Sequence, residues 1–315
     1  MGYYSYPSVR KPEWDWHIPT YFFTGGVASG AHLAATWVDL FGTKEDRPVA
    51  RAGHLIALAL VALSPILLIL DLGRPRRFAH MLRIFKTRSP MNLGTWGLSA
   101  FGLFTALGVL RLAVEEGLVG KHSLLARLLA WAPLRAYGIL GSLFAFFVGS
   151  YTGLLLSFTN VPIWARNHLL QGPLFVASAM STGLAAISFV LAASGTGNRR
   201  TDDFLHRAES ISNLGEIALT AGSLATLGSL AKPLMSGSCG ALFWGGAVSM
   251  GMVGPLLLRG VATRSKGSGH RRLHLLASIA ALVGGFLFRW VEVGVGQRQA
   301  DENPEAYFQY TRSHR

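Results

Sequence analysis

Long apolar runs separated by short polar segments dominate this sequence. An α-helix needs about 20 mostly apolar residues to cross the hydrocarbon core of a bilayer. Eight segments meet that length, and each is predicted to form a membrane-spanning helix. The predicted spans are Ile18–Phe41, Arg51–Leu72, Leu93–Val114, Leu134–Phe158, Leu169–Ala193, Phe204–Leu230, Ala241–Leu258 and Leu273–Gly294.

The segments outside these runs complete the predicted organisation. Residues 17–296 form an all-α, polytopic transmembrane domain, flanked by polar segments at 1–16 and 297–315. The first segment contains Trp14 and Trp16 and lacks a short apolar core, so we expect no cleavable signal peptide. Paired leucines at helical spacing within Ser123–Trp131 predict a short helix lying at the membrane interface.

Composition agrees with a membrane protein. Hydrophobic residues make up 50% of the 315 positions and charged residues 14%, whereas a soluble domain carries roughly a quarter charged residues. The net charge of +13 comes from Lys and Arg between the apolar runs, where they face lipid headgroups or acidic partners. We therefore expect no nucleic-acid binding.

Cys239 is the only cysteine in the sequence. One thiol cannot form an internal disulfide, and iron–sulfur clusters are usually held by four cysteines. We therefore expect no cluster in this protein. Any cluster with which it exchanges electrons then lies in another subunit.

The distribution of Lys and Arg bears on orientation. An even number of spans puts both termini on one side of the membrane, here called the terminal side. Short loops on the opposite side carry more Lys and Arg, so the positive-inside rule favours termini outside the cytoplasm, in the cytoplasmic membrane. The basic loop at residues 74–88 lies on the terminal side and weakens this preference.

Ionisable residues within the predicted spans are functional candidates because burying them in a membrane is costly. Tyr21, His32 and Asp39 share one face of the first span, and His54 begins the second span at about the depth of His32. Five polar residues share one face of the sixth span: His206, Glu209, Asn213, Glu216 and Thr220.

Two interpretations of these residues stay open. In the first they neutralise one another between helices; Arg289 and Glu292, three residues apart, then form a structural ion pair, and Glu216 pairs with Arg289. In the second they line a hydrated path for protons, since five polar residues exceed what one structural hydrogen bond requires. We predict a proton relay centred on Glu216 near mid-bilayer. The other predicted relay residues are Glu209, His206, His32 and His54.

Three segments match known sequence motifs. They are Asp71-Leu-Gly-Arg-Pro-Arg-Arg-Phe with Met81-Leu-Arg-Ile-Phe and Ser89-Pro-Met-Asn-Leu-Gly-Thr-Trp-Gly; Ile18-Pro-Thr-Tyr-Phe-Phe-Thr-Gly-Gly-Val-Ala-Ser-Gly; and Tyr151-Thr-Gly-Leu-Leu-Leu-Ser with Pro162-Ile-Trp. With these motifs the sequence resembles the NrfD/PsrC family, the quinone-reactive membrane subunits of polysulfide-reductase-type complexes. The resemblance covers most of the sequence, and its first half carries the specific motifs.

The resemblance implies two four-helix bundles and a quinone pocket near the terminal side, beneath a ferredoxin-like iron–sulfur subunit. That subunit contacts a catalytic subunit, often of molybdopterin type. The quinone-contacting tyrosine of the family's Tyr-Thr-Gly motif corresponds to Tyr151. An Asn and a His on the family's first span correspond to His17 and Tyr21, so the donors stay on one helical face but change their chemistry.

The residues themselves point to the same side. Because alternate spans run in opposite directions, Tyr21, Asp71, Tyr151 and His168 all lie toward the terminal side. Quinone reduction consumes electrons and protons, and Tyr and His provide hydrogen-bond donors and protons. We predict a menaquinone or ubiquinone site formed by Tyr151 and Tyr21, with His17, Asp71 and His168 as further candidates, and no bound metal or haem. An interfacial tyrosine is also commonly an aromatic anchor.

The basic loop emerges beside this predicted pocket. We predict that it docks the partner subunit, because electrostatic complementarity orients such contacts. The predicted docking residues are Arg74, Arg76, Arg77 and Arg83. A solvated or lipid-facing loop is the alternative.

Two other functions stay open at this point. His32 and His54 on neighbouring spans could face one another as haem b ligands, and the protein would then be a haem-bearing membrane anchor. The carboxylates of the sixth span could serve a proton-coupled secondary transporter, although the sequence shows no inverted repeat. Quinone chemistry within a respiratory oxidoreductase complex is the leading prediction.

Overall fold

A computed structural model describes residues 12–119, 123–129, 132–263 and 268–302 of the protein. Eight long helices account for most of these residues, and each overlaps one predicted span, which confirms the all-α polytopic fold. They are α1 (His17–Phe41), α2 (Arg47–Asp71), α3 (Pro90–Glu115), α4 (Leu134–Ser157), α5 (His168–Ser194), α6 (Arg199–Leu227), α7 (Gly237–Ala262) and α8 (Ser268–Glu302).

Short helices connect the long ones. The predicted interfacial helix is present as Leu124–Leu129, and its position at the interface stays a prediction. The other short elements are Lys44–Asp46, Pro75–Arg77, Phe78–Arg83, Pro162–Arg166, Gly228–Ala231 and Lys232–Met235. Residues 1–11 and 303–315 of the two predicted polar segments lie outside the described residues.

Seven of the long helices have the length and apolar composition needed to cross a membrane. The exception is α1, which is rich in Gly, Thr and other polar or small residues. Most of α1 is buried against other helices. Its surface therefore contacts protein, whereas other long helices expose apolar side chains to their surroundings. The protein is therefore a multi-pass membrane protein in which α1 packs mainly against other helices.

The long helices form two four-helix bundles. Helices α1–α4 form the first bundle and α5–α8 the second, and the bundles meet where α1 and α4 pack against α5. Small residues bring the backbones together at this interface, as is common between transmembrane helices. A Cβ at Gly30 would lie 1.9 Å from the carbonyl oxygen of Ala179, and one at Gly183 would lie 2.4 Å from the Ala31 nitrogen.

Contacts between helix ends define the two sides of the molecule. On one side Trp14 stacks on Trp164 at 5.6 Å between ring centroids, and Gln297 Nε2 donates to the Trp14 carbonyl at 2.7 Å. On the other side Asn198 Nδ2 donates to the Glu45 carbonyl at 3.0 Å. The first and last described residues therefore lie on one side, which is the predicted terminal side.

Candidate functional site

A cavity of about 370 Å³ lies at the terminal side of the first bundle and is here called the terminal cavity. Its volume falls within the range typical of small-molecule sites. The walls come from the beginnings of α1 and α3, the ends of α2 and α4, and the short helix Phe78–Arg83. Most of the lining is apolar. Three predicted quinone-site residues contribute polar groups to it: Tyr21, Asp71 and Tyr151.

Tyr151 is held on two sides. Its hydroxyl donates a hydrogen bond to the carbonyl of Pro90 at 2.7 Å, and its ring stacks on Phe147 at 5.4 Å between centroids. A Cβ at Gly94 would lie 2.4 Å from the Tyr151 ring, and one at Gly97 would lie 2.3 Å from the Phe147 ring. These two glycines of the Ser89–Gly97 motif therefore let both rings pack closely against α3.

Tyr21 presents a different environment. Its side chain is 2% exposed and lines the terminal cavity, and none of the described residues forms a hydrogen bond with its hydroxyl. A buried hydroxyl normally has a partner. The Tyr21 hydroxyl is therefore available to a molecule in the cavity.

His17 and His168 differ in placement. His17 lies beside Asp71, and its Nδ1 is buried without a hydrogen-bond partner among the described residues. His168 is exposed, and its Nδ1 lies 3.1 Å from the Ala165 carbonyl oxygen. The structure thus brings three of the five predicted residues to the terminal cavity, places His17 next to one of them, and leaves His168 outside. The depth of His168 in the membrane follows from the direction of α5. The rotation of α5 about its own axis, however, turns the His168 side chain away from the terminal cavity.

The polar face of α1 continues through the first bundle. His54 Nε2 lies 2.7 Å from Asp39 Oδ2, and the rings of His32 and His54 meet edge to face at 5.5 Å. Gly141 makes room for the His32 ring, since a Cβ there would lie 2.5 Å from His32 Nε2. Asp39 lines a second cavity, of about 890 Å³, on the opposite side. The other charged residues lining it are Lys44, Arg47, Arg51, Glu115, Glu116 and Arg135.

The same geometry bears on the haem alternative. Two axial histidines must direct a nitrogen toward one iron from opposite faces of the macrocycle. His54 Nε2 instead contacts Asp39, and His32 Nε2 lies 3.2 Å from the Gly138 carbonyl oxygen. With their rings 5.5 Å apart and nearly perpendicular, the two imidazoles do not flank a haem-sized gap.

The second bundle contains a buried ion pair. Arg259 Nε lies 2.6 Å from Glu209 Oε2, and both side chains are 1% exposed. The two groups are not aligned for a linear hydrogen bond. The structure thus gives Glu209, a predicted relay residue, an arginine partner that lies one residue beyond the predicted span Ala241–Leu258.

A π-helical stretch explains how Arg259 reaches the interior. Buried residues recur at every fourth position from Phe243 to Arg259. In an α-helix each step of four over-rotates by about 40°, so this series would turn to the opposite face. Residues Leu242–Val253 form a π-helix, whose wider turns compensate for the over-rotation. Arg259 therefore stays on the buried face.

Arg289 and Glu292 do not form the predicted direct ion pair. No nitrogen–oxygen contact within 4 Å joins them among the described ion pairs. Arg289 donates to Ser178 Oγ, and its guanidinium lies 5.0 Å from the Phe175 ring centroid. Glu292 accepts a hydrogen bond from Gln171 Nε2 at 2.9 Å. The two side chains leave one face of α8 but reach different turns of α5.

Glu216, on α6, belongs to a series of polar side chains that includes residues of α5 and α8. It is 2% exposed and lies beside the hydroxyls of Ser178 and Ser181. Ser181 also donates to Asn213 Oδ1 at 2.5 Å. Since Ser178 also receives a hydrogen bond from Arg289, polar contacts extend from α6 through α5 to α8.

Histidines lie where this polar series approaches the opposite side. His206 is half-buried near Arg259, and the rings of His270 and His274 are 4.4 Å apart. His270 Nε2 lies 3.7 Å from Asp202 Oδ2. Neither His270 nor His274 was among the predicted relay residues: His270 precedes the predicted last span, and His274 is only its second residue.

The basic loop lies over the terminal cavity. Arg74, Arg76 and Arg83 are exposed, whereas the side chain of Arg77 lies outside the described part of the structure. Phe78 and Met81 in the same segment line the cavity. One face of this loop therefore forms a wall of the cavity, and the other presents positive charge to the outside.

Comparisons with known proteins agree with the motifs. The family described as Polysulphide reductase, NrfD matches residues 7–300. The polysulfide reductase C subunit of Wolinella succinogenes is 30% identical over 266 residues, covering 78% of this protein and 82% of that one. Protein NrfD of Escherichia coli is 27% identical over 312 residues, covering 90% of this protein and 95% of that one. The protein therefore belongs to the NrfD polysulphide reductase family.

Proposed function

We propose that this protein is the quinone-reactive membrane subunit of a respiratory oxidoreductase complex. It exchanges electrons between the membrane quinone pool and an iron–sulfur partner subunit. The observation that carries the proposal is the terminal cavity, which brings Tyr21, Asp71 and Tyr151 together beneath an exposed basic loop. Membership of a family of redox-complex subunits also favours this function over a secondary transporter.

The cavity suits a lipid-soluble quinone. Two of its lining residues, Met91 and Phe158, are large apolar side chains that are 57% and 67% exposed. They lie at the beginning of α3 and the end of α4, so the cavity has an apolar mouth between these helices. A long prenyl tail can leave through this mouth into the bilayer while the quinone ring stays beside the tyrosines.

The two tyrosine hydroxyls suit different hydrogen-bonding groups on the quinone ring. Tyr21 has no hydrogen-bond partner among the described residues, so its hydroxyl can donate to a quinone carbonyl. The Tyr151 hydroxyl donates its proton in a hydrogen bond to the Pro90 carbonyl, and its oxygen can still accept a hydrogen bond from a quinol hydroxyl. Asp71, beside His17, is the ionisable group at the cavity that can exchange protons with the ring.

The partners follow from the same arrangement. The relative named as the C subunit of polysulfide reductase is, by that name, one part of a reductase. By analogy, a ferredoxin-like iron–sulfur subunit docks on the basic loop and passes electrons to a catalytic subunit of molybdopterin type. The membrane is the cytoplasmic (inner) membrane, with both termini outside the cytoplasm.

Protons enter from the side opposite the termini. In the first bundle, Asp39, His54 and His32 lead inward from the second cavity. In the second bundle, the predicted relay through His206, Glu209 and Glu216 follows the polar contacts between α6 and its neighbours. Glu209 takes part through its ion pair with Arg259.

The direct test is purification of the native complex. Mass spectrometry identifies its subunits, and stopped-flow absorbance follows oxidation of menaquinol or ubiquinol by the catalytic substrate, or the reverse reaction. We expect a cluster-bearing partner to co-purify and quinone turnover to depend on this membrane subunit. A purified protein that brings no redox partner and supports no quinone turnover would contradict the proposal.

Charge reversal of the basic loop should release the partner. Replacing Arg74, Arg76 and Arg83 by Glu turns an attractive surface into a repulsive one, and like charges at an interface cost several kcal/mol. We expect the triple variant to lose the iron–sulfur subunit during purification at moderate salt, while the membrane subunit itself is retained. Subunit stoichiometry on native gels gives the result.

The matched control reverses three exposed arginines elsewhere, namely Arg127, Arg199 and Arg272. Its net charge equals that of the first variant. If the loop variant keeps its partner at moderate salt, or both variants lose it equally, the basic loop is not the docking surface.

Gly94→Ala should weaken quinone turnover by displacing Tyr151. The added Cβ would lie 2.4 Å from the Tyr151 ring, so the ring must move toward the cavity. A misplacement of about 1 Å in a reacting group can cost roughly a hundredfold in rate, and we expect at least a tenfold loss in kcat/KM. Gly102→Ala, on the same helix, is the control, because its Cβ would lie 3.9 Å from its nearest contact. Equal activities of the two variants would show that the Tyr151 position is unimportant.

A further inference from the structure

Asn92, in the first turn of α3, makes an unusual number of contacts for a residue outside the predicted site. Its Oδ1 accepts a hydrogen bond from the Lys86 backbone N–H at 2.7 Å. Its Nδ2 donates to the carbonyls of Met81 at 2.9 Å and Ile84 at 2.8 Å. The side chain is 7% exposed. Both amide donors and one acceptor position are therefore used to hold a single segment of the basic loop.

The segment held by Asn92 is the outer wall of the terminal cavity. The short helix Phe78–Arg83 directs Phe78 and Met81 into the cavity, whereas Arg83 is exposed on its outer side. A helix with its side chains is about 10–12 Å across. A partner docked on the outer side is thus separated from the cavity by little more than the thickness of this one helix.

The same turn of α3 also holds Tyr151. The Pro90 carbonyl, two residues before Asn92, accepts the Tyr151 hydroxyl, and Gly94, two residues after it, receives the Tyr151 ring. The Ser89 hydroxyl caps this turn by accepting a hydrogen bond from the Asn92 N–H. Asn92 therefore lies between the contacts that fix Tyr151 and those that fix the loop.

We propose that Asn92 is a positioning residue that joins the partner-docking surface to the quinone cavity. The inference rests on the proposed function. Asn92 fixes the short helix Phe78–Arg83 at a set distance from Tyr151. A quinone ring in the terminal cavity then lies between a fixed tyrosine and a fixed wall. It also sets the separation between the ring and the redox centre of the docked partner. A loop held only by its two ends would leave both distances variable.

The test compares Asn92→Asp and Asn92→Ala with Ser99→Ala in the whole complex. Asn92→Asp keeps the shape and the acceptor for Lys86 but removes both donors, whereas Asn92→Ala removes all three contacts. Ser99 donates only to the Thr95 carbonyl of its own helix at 2.8 Å. For complexes of equal subunit content, we expect both Asn92 variants to raise KM for a short-tailed quinol and to lower kcat. A combined loss in kcat/KM of about tenfold or more is expected, since positioning errors act steeply on rate, with Ser99→Ala unchanged.

A role in folding alone predicts a different pattern. Yield and thermal midpoint would then fall while kcat and KM per assembled complex stay at wild-type values, and that result would overturn the inference. Wild-type complex without any quinol turnover would instead remove the proposed function, and this inference with it.

A second measurement uses the unmodified complex and so does not depend on how the variants fold. Hydrogen–deuterium exchange of the backbone amides in residues 81–86 is compared with and without a short-tailed naphthoquinone. If Asn92 joins the loop to the cavity, occupancy of the cavity slows exchange in this segment, the Lys86 amide included. Unchanged exchange at saturating naphthoquinone would overturn the coupling.

Discussion

Tyr151→Phe is expected to lower quinone turnover roughly tenfold to a hundredfold in a complex that still assembles. Loss of one hydrogen bond to a buried polar group costs about 1–3 kcal/mol, and each 1.4 kcal/mol is about tenfold in rate. The substitution keeps the ring that stacks on Phe147 and removes only the hydroxyl, which is bonded to Pro90. Steady-state oxidation of several quinol analogues by the purified complex measures the effect.

Tyr137→Phe is the matched control for this variant. Tyr137 is 1% exposed, and its hydroxyl also donates to a backbone carbonyl, that of Leu129, at 3.4 Å. It belongs to the same helix as Tyr151 but does not line the terminal cavity. A similar loss of turnover in both variants would mean that a structural hydrogen bond explains the result. Full activity of Tyr151→Phe with all analogues would remove Tyr151 from the site.

The two tyrosines can be separated by the direction of the reaction. A tyrosine hydroxyl that accepts a hydrogen bond from a quinol contributes to binding of the quinol. A tyrosine hydroxyl that is free to donate contributes to binding of the quinone. Tyr21→Phe is therefore expected to raise KM for quinone more than KM for quinol, and Tyr151→Phe the reverse, as measured by steady-state kinetics in both directions. Equal effects in both directions would assign the two hydroxyls one common role.

The membrane helices followed from the sequence because a bilayer imposes a severe constraint. Backbone polar groups must be satisfied within each span, so length and apolar content locate the helices. The alternating direction of the spans then placed Tyr21, Asp71 and Tyr151 at one depth, and the structure brings them to one cavity. Depth along a helix could thus be predicted from position in the sequence.

Rotation about the helix axis could not be predicted in the same way. His168 has the predicted depth but faces outward, because packing of α5 between the bundles fixes its rotation. Arg289 and Glu292 share a face of α8, yet partners on α5 draw them apart. The spacing of two residues shows that they can meet, and their neighbours decide whether they do.

Arg259 was missed for a related reason. Hydropathy ends the seventh span before this charged residue, whereas the helix continues to Ala262. The π-helical stretch that turns Arg259 inward leaves no mark in the hydropathy pattern. A charge at the end of an apolar run was therefore assigned to the loop, although it pairs with Glu209 in the interior.

Glu216→Gln is expected to leave a folded complex whose quinone turnover and proton uptake are slowed by roughly a hundredfold. Positioned proton transfer by a side chain contributes about 10²–10⁴ in rate. Gln keeps the volume of Glu216 and a polar group beside the Ser178 and Ser181 hydroxyls, but it cannot bind and release a proton at physiological pH. Stopped-flow quinol oxidation with a pH-indicator dye, in complex reconstituted into vesicles, measures both quantities.

The rival explanation is that Glu216 only neutralises Arg289, which is 1% exposed and has both Glu216 and Glu292 as acidic neighbours. Removing one partner of a buried charge pair costs about 3–5 kcal/mol of stability. Glu292→Gln is therefore the control, because it removes the other negative charge near Arg289 while leaving the α6 relay intact. If Glu216 carries protons, both variants lower the thermal midpoint and only Glu216→Gln slows turnover. If Glu216 is structural, the two variants lose stability alike and turn over quinone at the wild-type rate. That result would mean that Glu216, at the centre of the path through the second bundle, carries no protons.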